Sequence, residues 1–181
     1  MTERSDPLVG DFIRDTDLRK DPTAPGRYLL DLSPAWNIFY AFGGMTMAVA
    51  LRGIERELDD PGLVPLTANA LFVSPVTAGP VEVDVDILRR GKAAAQGVAN
   101  LRNAGHDGTA VHVTAAFGRP TASEWDYVDI PFPDVPMPED CPQAPRMPEG
   151  SAFSDLNFHH QIDWRPTSLI DRDSWRPGPA V

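Results

Sequence analysis

Two glycines, Gly43 and Gly44, stand immediately before the longest amphipathic stretch of the chain. Unhindered backbone N–H groups at a helix start, backed by the positive end of the helix dipole, suit an anion or a developing oxyanion. The plainer function of such a pair is to let the chain turn tightly into the helix. Asn37 lies just upstream and could orient a water, but an amide cannot act as general base. Between residues 45 and 50 there is no carboxylate, and Glu55 and Glu57 lie two or more turns further along. Arg89, Arg90 and Lys92 around Gly91 form the main basic cluster, able to receive phosphate groups or simply to solvate a hairpin end. His159, His160 and Asp163 sit near the C-terminal end. Read as a strand, that segment sends the adjacent histidines to opposite faces, so they cannot chelate one metal. No cofactor or metal is implied.

The elements that must position these residues follow from periodicity. Gly26–Asn37 reads as a strand closed by Ser33-Pro34. Met47, Leu51, Ile54 and Leu58 then fall at i, i+4, i+7 and i+11, the stripe of a helix over 43–58. Gly53 weakens that helix unless something packs closely against it. A run of strands without a further helix comes next. "PVEVDVDIL" places Val81, Val83, Val85 and Ile87 on one face and Glu82, Asp84 and Asp86 on the other, the mark of an antiparallel sheet with one wet face. Small residues at Ala93, Ala94, Ala95, Gly97 and Ala99 leave room for the 43–58 helix. The predicted fold class is α+β: one long central helix wrapped by a curved antiparallel sheet.

Composition bounds the function. The chain has 181 residues, enough for one domain with a real core, and a formal charge of −10 that argues against general nucleic-acid binding. It contains no apolar run long enough for a membrane span and no secretory-type N-terminus. A lone Cys141 makes no internal disulfide and fits a reducing cytoplasm. The organisation expected is a loose arm over 1–25, a domain over 26–119 and a proline-rich linker over 120–156, with Trp125, Tyr127, Ile130 and Phe132 as anchors. A new strand then opens at 157 and gives way to a loose tail.

"NIFYAFGGMTMAVALRGIE", "ANALFVSPVTAGPVEVDVDILRRGK" and "GHDGTAVHVTAAF", in that order, resemble the N-terminal hotdog domain of the TesB-like acyl-CoA thioesterases (the acyl-CoA thioesterase II family). The match covers roughly residues 27–119, and "FHHQIDWRP" resembles the first strand of the family's second hotdog. The resemblance implies hydrolysis of an acyl-CoA to free acid and CoA. Gly44 and Asn37 are then the catalytic candidates. Gly43, Phe42, Met45 and Phe72 would line the acyl site, and Arg89, Arg90 and Lys92 would receive the CoA phosphates. The family's catalytic aspartate, threonine and glutamine belong to its second repeat; superposing the repeats brings the aspartate near Gly44 and the glutamine near Ala116, neither a functional substitute. The alternative is a non-catalytic acyl-CoA-binding or dimerisation hotdog. A hotdog dehydratase needs an acidic residue and a histidine near the helix start, and residues 36–50 contain no such pair. A lone hotdog sheet exposes an edge, so a homodimer imitating the two-repeat arrangement is expected.

Overall fold

In the computed structural model, residues 9–121, 130–132, 134–144 and 156–167 are described. They fall into two compact units. The first is the domain with residues 156–161; the second comprises described parts of 124–155 and residues 162–167.

The first unit contains α1 (Phe12–Asp15), β1 (Arg19–Lys20), β2 (Arg27–Leu32), α2 (Gly43–Leu58), β3 (Val64–Phe72), β4 (Gly79–Arg90), β5 (Ala94–Asn103) and β6 (Val111–Gly118). The strands form one antiparallel sheet in the order β1-β2-β4-β5-β6-β3. Helix α2 lies against β4, β5 and β6. The alternation expected for β4 holds where it matters most: Val81 and Val83 are buried, while Glu82 and Asp84 point outward. Those carboxylates are not merely solvated. Arg102 reaches Glu82 at 2.7 Å and Asp84 at 2.6 Å, and Arg27 reaches Asp84 at 2.7 Å.

The helix packs as closely as its glycine requires. A Cβ added to Gly53 would lie 3.1 Å from Val85 Cγ2 and 3.2 Å from Val83 Cγ1. Opposite, a Cβ on Gly97 would lie 2.9 Å from Ile54 Cγ2. The buried stripe is rotated relative to the one that periodicity predicts. Met45, Thr46, Val49, Ala50, Gly53, Ile54 and Leu58 face inward, and Met47 and Leu51 flank the core half-buried. The reason is Gly53: the face that approaches the sheet most closely is the one with the smallest residue.

Three expectations change. The first 25 residues, expected to form a loose arm, contain an ordered segment, because Leu18 is buried against the core and Asp15 accepts a 2.9 Å hydrogen bond from Trp36 Nε1. Residues 157–161 form a 3-10 turn, not a strand, and the two histidines lie on that turn. A strand there would need a ladder partner for its N–H and C=O groups, whereas a tight turn satisfies part of them locally. In the second unit, a short 3-10 turn over Pro138–Asp140 is followed by a 2.7 Å backbone bond from Ala144 N–H to Trp164 O. Ile130 and Phe132 are exposed, so they do not anchor the linker; Trp125 and Tyr127 lie outside the described residues, as do residues 168–181 of the tail.

Candidate functional site

The site is built around the start of α2. The N–H groups of Met45 and Thr46 bond back to Phe42 O at 2.9 and 3.1 Å. Among the described residues the N–H groups of Gly43 and Gly44 find no protein acceptor, as helix geometry leaves them. Neither glycine has a positive φ, so the pair is not there to supply a left-handed turn. What they provide is proximity. A Cβ on Gly43 would lie 3.1 Å from the Phe72 ring, and one on Gly44 2.5 Å from the Phe42 ring. Each glycine therefore admits an aromatic ring against the backbone at the positive end of the helix.

A cavity of about 360 Å³ opens beside this point, lined among others by Gly43, Thr46, Phe72, Ser74, Val76 and Val111. It is near the lower end of the size usual for small-molecule sites. Thr46 is buried and its hydroxyl donates to Gly43 O at 3.0 Å, which orients the first turn. The loop before the helix is held by bonds from Ala41 N–H to Val76 O (2.9 Å) and from Phe42 N–H to Trp36 O (3.0 Å). Among the described residues that line the cavity there is no carboxylate or imidazole. What it offers among the described residues is electrostatic: the free N–H donor of Gly43, with that of Gly44 just beside, and a largely apolar wall.

The candidate residues divide into three places. Gly43 and Phe72 meet at the cavity, while Gly44 and Phe42 sit beside it without lining it. Met45 is only 1% exposed and belongs to the core, so it is not a substrate contact: its helical position turns it toward the sheet. Asn37 lies in the loop before the helix, and its Oδ1 is buried without a hydrogen-bond partner, the one such side-chain atom among the described residues. A buried acceptor in that condition marks a place for a water or a ligand donor.

The basic cluster lies at the far end of α2, about 24 Å from its start for a 16-residue helix. There Arg90 hydrogen-bonds the C-terminal carbonyls, Leu58 O through Nη1 and Glu57 O through Nη2 at 2.8 Å. It therefore serves as a helix cap, a role its place in the sequence does not reveal. Arg89 and Lys92 are exposed and, among the described residues, their side chains form no ion pair. Near the same end, Tyr28 donates to Glu57 at 2.7 Å and Lys20 pairs with Glu57 at 3.0 Å. Burial, followed by the Glu57 hydrogen bond, raises the Tyr28 hydroxyl well above its ordinary value, so it stays protonated.

Sequence reasoning misses Thr46, Ser74 and Val76 as lining residues, and Phe158 as a neighbour of the helix start. The "FVSP" segment signals a strand end, and only the fold swings the residues after Phe72 back to the helix start. Phe158 packs on Phe42 with ring centroids 4.2 Å apart.

Residues 32–118 match the family model described as acyl-CoA thioesterase N-terminal domain. The chain matches no curated protein. Among solved structures, it is similar to a conserved protein with hot dog fold from Alicyclobacillus acidocaldarius, at 22% identity and a TM-score of 0.63 over 80% of this chain and 52% of that one. It is also similar to the acyl-CoA thioesterase II TesB2 from Mycobacterium marinum, at 19% identity and a TM-score of 0.61 over 93% of this chain and 56% of that one. A third is the BH2602 protein from Bacillus halodurans, solved with CoA, at 14% identity and a TM-score of 0.53 over 61% of this chain and 78% of that one. At these identities the likeness establishes the fold. The chain spans about half the length of the first two. Among the described residues no helix is long and apolar enough to cross a membrane. The fold of this chain is thus the hotdog fold, and the part of it that matches the acyl-CoA thioesterase N-terminal domain model is residues 32–118.

Proposed function

We propose that the chain acts as an acyl-CoA thioesterase-like protein, hydrolysing an acyl-CoA thioester to free acid and CoA. The observation that carries this is the pair of free N–H groups at Gly43 and Gly44 beside an apolar cavity of about 360 Å³. The thioester carbonyl would take its oxygen to these donors, with the helix dipole stabilising the charge that develops as water adds. Phe72 and Val111 would receive the acyl chain. Arg89 and Lys92, free at the other end of the helix, are the phosphate contacts we favour; Arg90 is already engaged by the helix. Asn37, with its unpartnered Oδ1, would hold the water in place. The location that suits this chemistry and a single cysteine is the cytoplasm.

A second copy of the chain is the component we propose beside this site. Strand β3 is one edge of the sheet; Leu66, Leu71 and Phe72 on it, and Val73 just after it, are all more than half exposed. Phe72 belongs both to that edge and to the cavity wall. A second copy pairing through β3 would border the cavity, and we propose a homodimer on this ground. Light scattering at micromolar concentration tests it: a clean monomer refutes the dimer.

The functional test is thiol release from short- to long-chain acyl-CoAs by the purified 181-residue protein. Turnover well above the uncatalysed background is the expected result. The second reading, an acyl-CoA-binding or dimerisation module, predicts saturable binding without thiol release. Neither binding nor release by a folded protein would refute both.

A further inference from the structure

The cavity beside Gly43 has a rim and a floor, and different parts of the chain build them. Tyr40, Phe72 and Val73 stand at the rim, each more than half exposed. Thr46, Val76 and Val111 are 1%, 3% and 1% exposed and form the floor. Thr46 follows Gly43 by about one turn of α2, and its hydroxyl hydrogen is already given to Gly43 O at 3.0 Å. Val111 stands directly across from Phe72 in the β3–β6 pairing, so one strand pair supplies both rim and floor. Val76 is set by the 2.9 Å bond from Ala41 N–H to its carbonyl, which pins the loop between β3 and β4 against the approach to the helix. Val76 and Val111 also belong to the main core. What lies behind them is close-packed, so a chain that reaches their side chains goes no further.

We infer that this floor sets the length of the acyl group, and that the acyl-CoA taken here carries a short or medium chain of about eight carbons or fewer. The inference rests on the thioester-binding reading of Gly43. A methylene takes up roughly 30 Å³, about the share of one water in the liquid. A cavity of about 360 Å³ therefore admits about a dozen such groups. Several of those places go to the thioester itself, whose oxygen lies at the Gly43 N–H. The remainder fits about eight carbons. A longer chain must leave its far end in water or push Val76 and Val111 out of their core packing, and neither adds affinity. A second copy on the β3 edge would meet the rim at Phe72 and leave the floor to this chain alone.

The test uses the full chain and a series of non-hydrolysable S-alkyl thioethers of CoA, from ethyl to hexadecyl, with affinity read by calorimetry. Each methylene that enters the cavity is expected to tighten binding about fourfold, the gain that its removal from water supplies. That gain is expected to stop between about six and ten carbons, after which affinity stays level. Val76→Ala takes two carbons from the floor and is expected to move the break outward by about one or two carbons. A wild-type series that keeps gaining up to hexadecyl, gains nothing with length, or breaks outside that range overturns the floor as the limit. A folded Val76→Ala whose break has not moved does the same, and in each of these cases the acyl-CoA reading stands. Should Val76→Ala fail to show a native circular dichroism spectrum, the wild-type series alone decides. If no thioether binds, the acyl-CoA reading fails and the chain-length limit fails with it.

Discussion

Replacing Arg90 by alanine separates a structural cation from a phosphate-binding one. Its guanidinium satisfies two of the last carbonyls of α2, those of Leu58 and Glu57, at the negative end of the helix dipole. A cation in this place contributes about 0.3–1 kcal/mol through the dipole. Hydrogen bonds to a charged group add about 1.5 kcal/mol or more when sheltered, and less here because the side chain is exposed and water can replace it. The sum is about 1–2 kcal/mol, or about 2–8 °C in Tm for a domain of this size. Urea unfolding should show a lower midpoint with an unchanged slope. Arg90→Lys keeps the charge but not the planar fork, so it should recover part of that stability. CoA affinity should hardly change in Arg90→Ala, while Arg89→Ala and Lys92→Ala should weaken it without moving the midpoint. Unchanged stability in Arg90→Ala together with about a tenfold drop in CoA affinity would refute the capping role and restore the phosphate role.

Leu18→Ala should destabilise the protein by about 2–5 kcal/mol, since truncating a buried leucine in a packed site leaves a cavity; a change below about 0.5 kcal/mol in chemical denaturation would mean the N-terminal segment is dispensable. Gly97→Val forces a side chain into Ile54 and Ile87, and overpacking of about 1–3 kcal/mol should appear as a lower midpoint. Acid should weaken the fold through its paired carboxylates. Burial pushes the Asp84 carboxyl up, but hydrogen bonds from Arg27 and Arg102 outweigh it and hold the group below its ordinary 3.8. The Tyr28 hydrogen bond, opposed by burial and aided by Lys20, likewise holds Glu57 below 4.5. With folded values depressed, the unfolded chain binds more protons, so this stability is present above about pH 4.5 and disappears as pH falls through the folded values. Asp84→Asn should flatten the acid limb of a stability-against-pH curve; a limb of unaltered steepness would show that the network with Arg27 and Arg102 contributes nothing there.

Periodicity alone is enough for the central helix, the β4 alternation and the need for close helix–sheet contact at Gly53, because burial of one face imposes a repeat on the residues that make it. The same logic misplaces the inward stripe by about one residue, since Met47 and Leu51 match the repeat as well as Met45 and Val49 do. Only the approach of β4 and β5 to Gly53 decides between the two sets. Alternation also suggests a strand at 157–165, where the fold makes a turn over Asn157–Gln161, because a strand is stable only beside a partner and no residue pattern supplies one. The site shows the same division. Gly43, Gly44 and the absence of a nearby carboxylate are visible in the residues themselves. That Met45 turns into the core, that Arg90 closes the far end of the helix, and that Phe158 returns to press Phe42 against Gly44 are settled by tertiary packing. These are meetings of residues tens of positions or more apart, or choices of helical face, and neither kind leaves a local repeat in the chain.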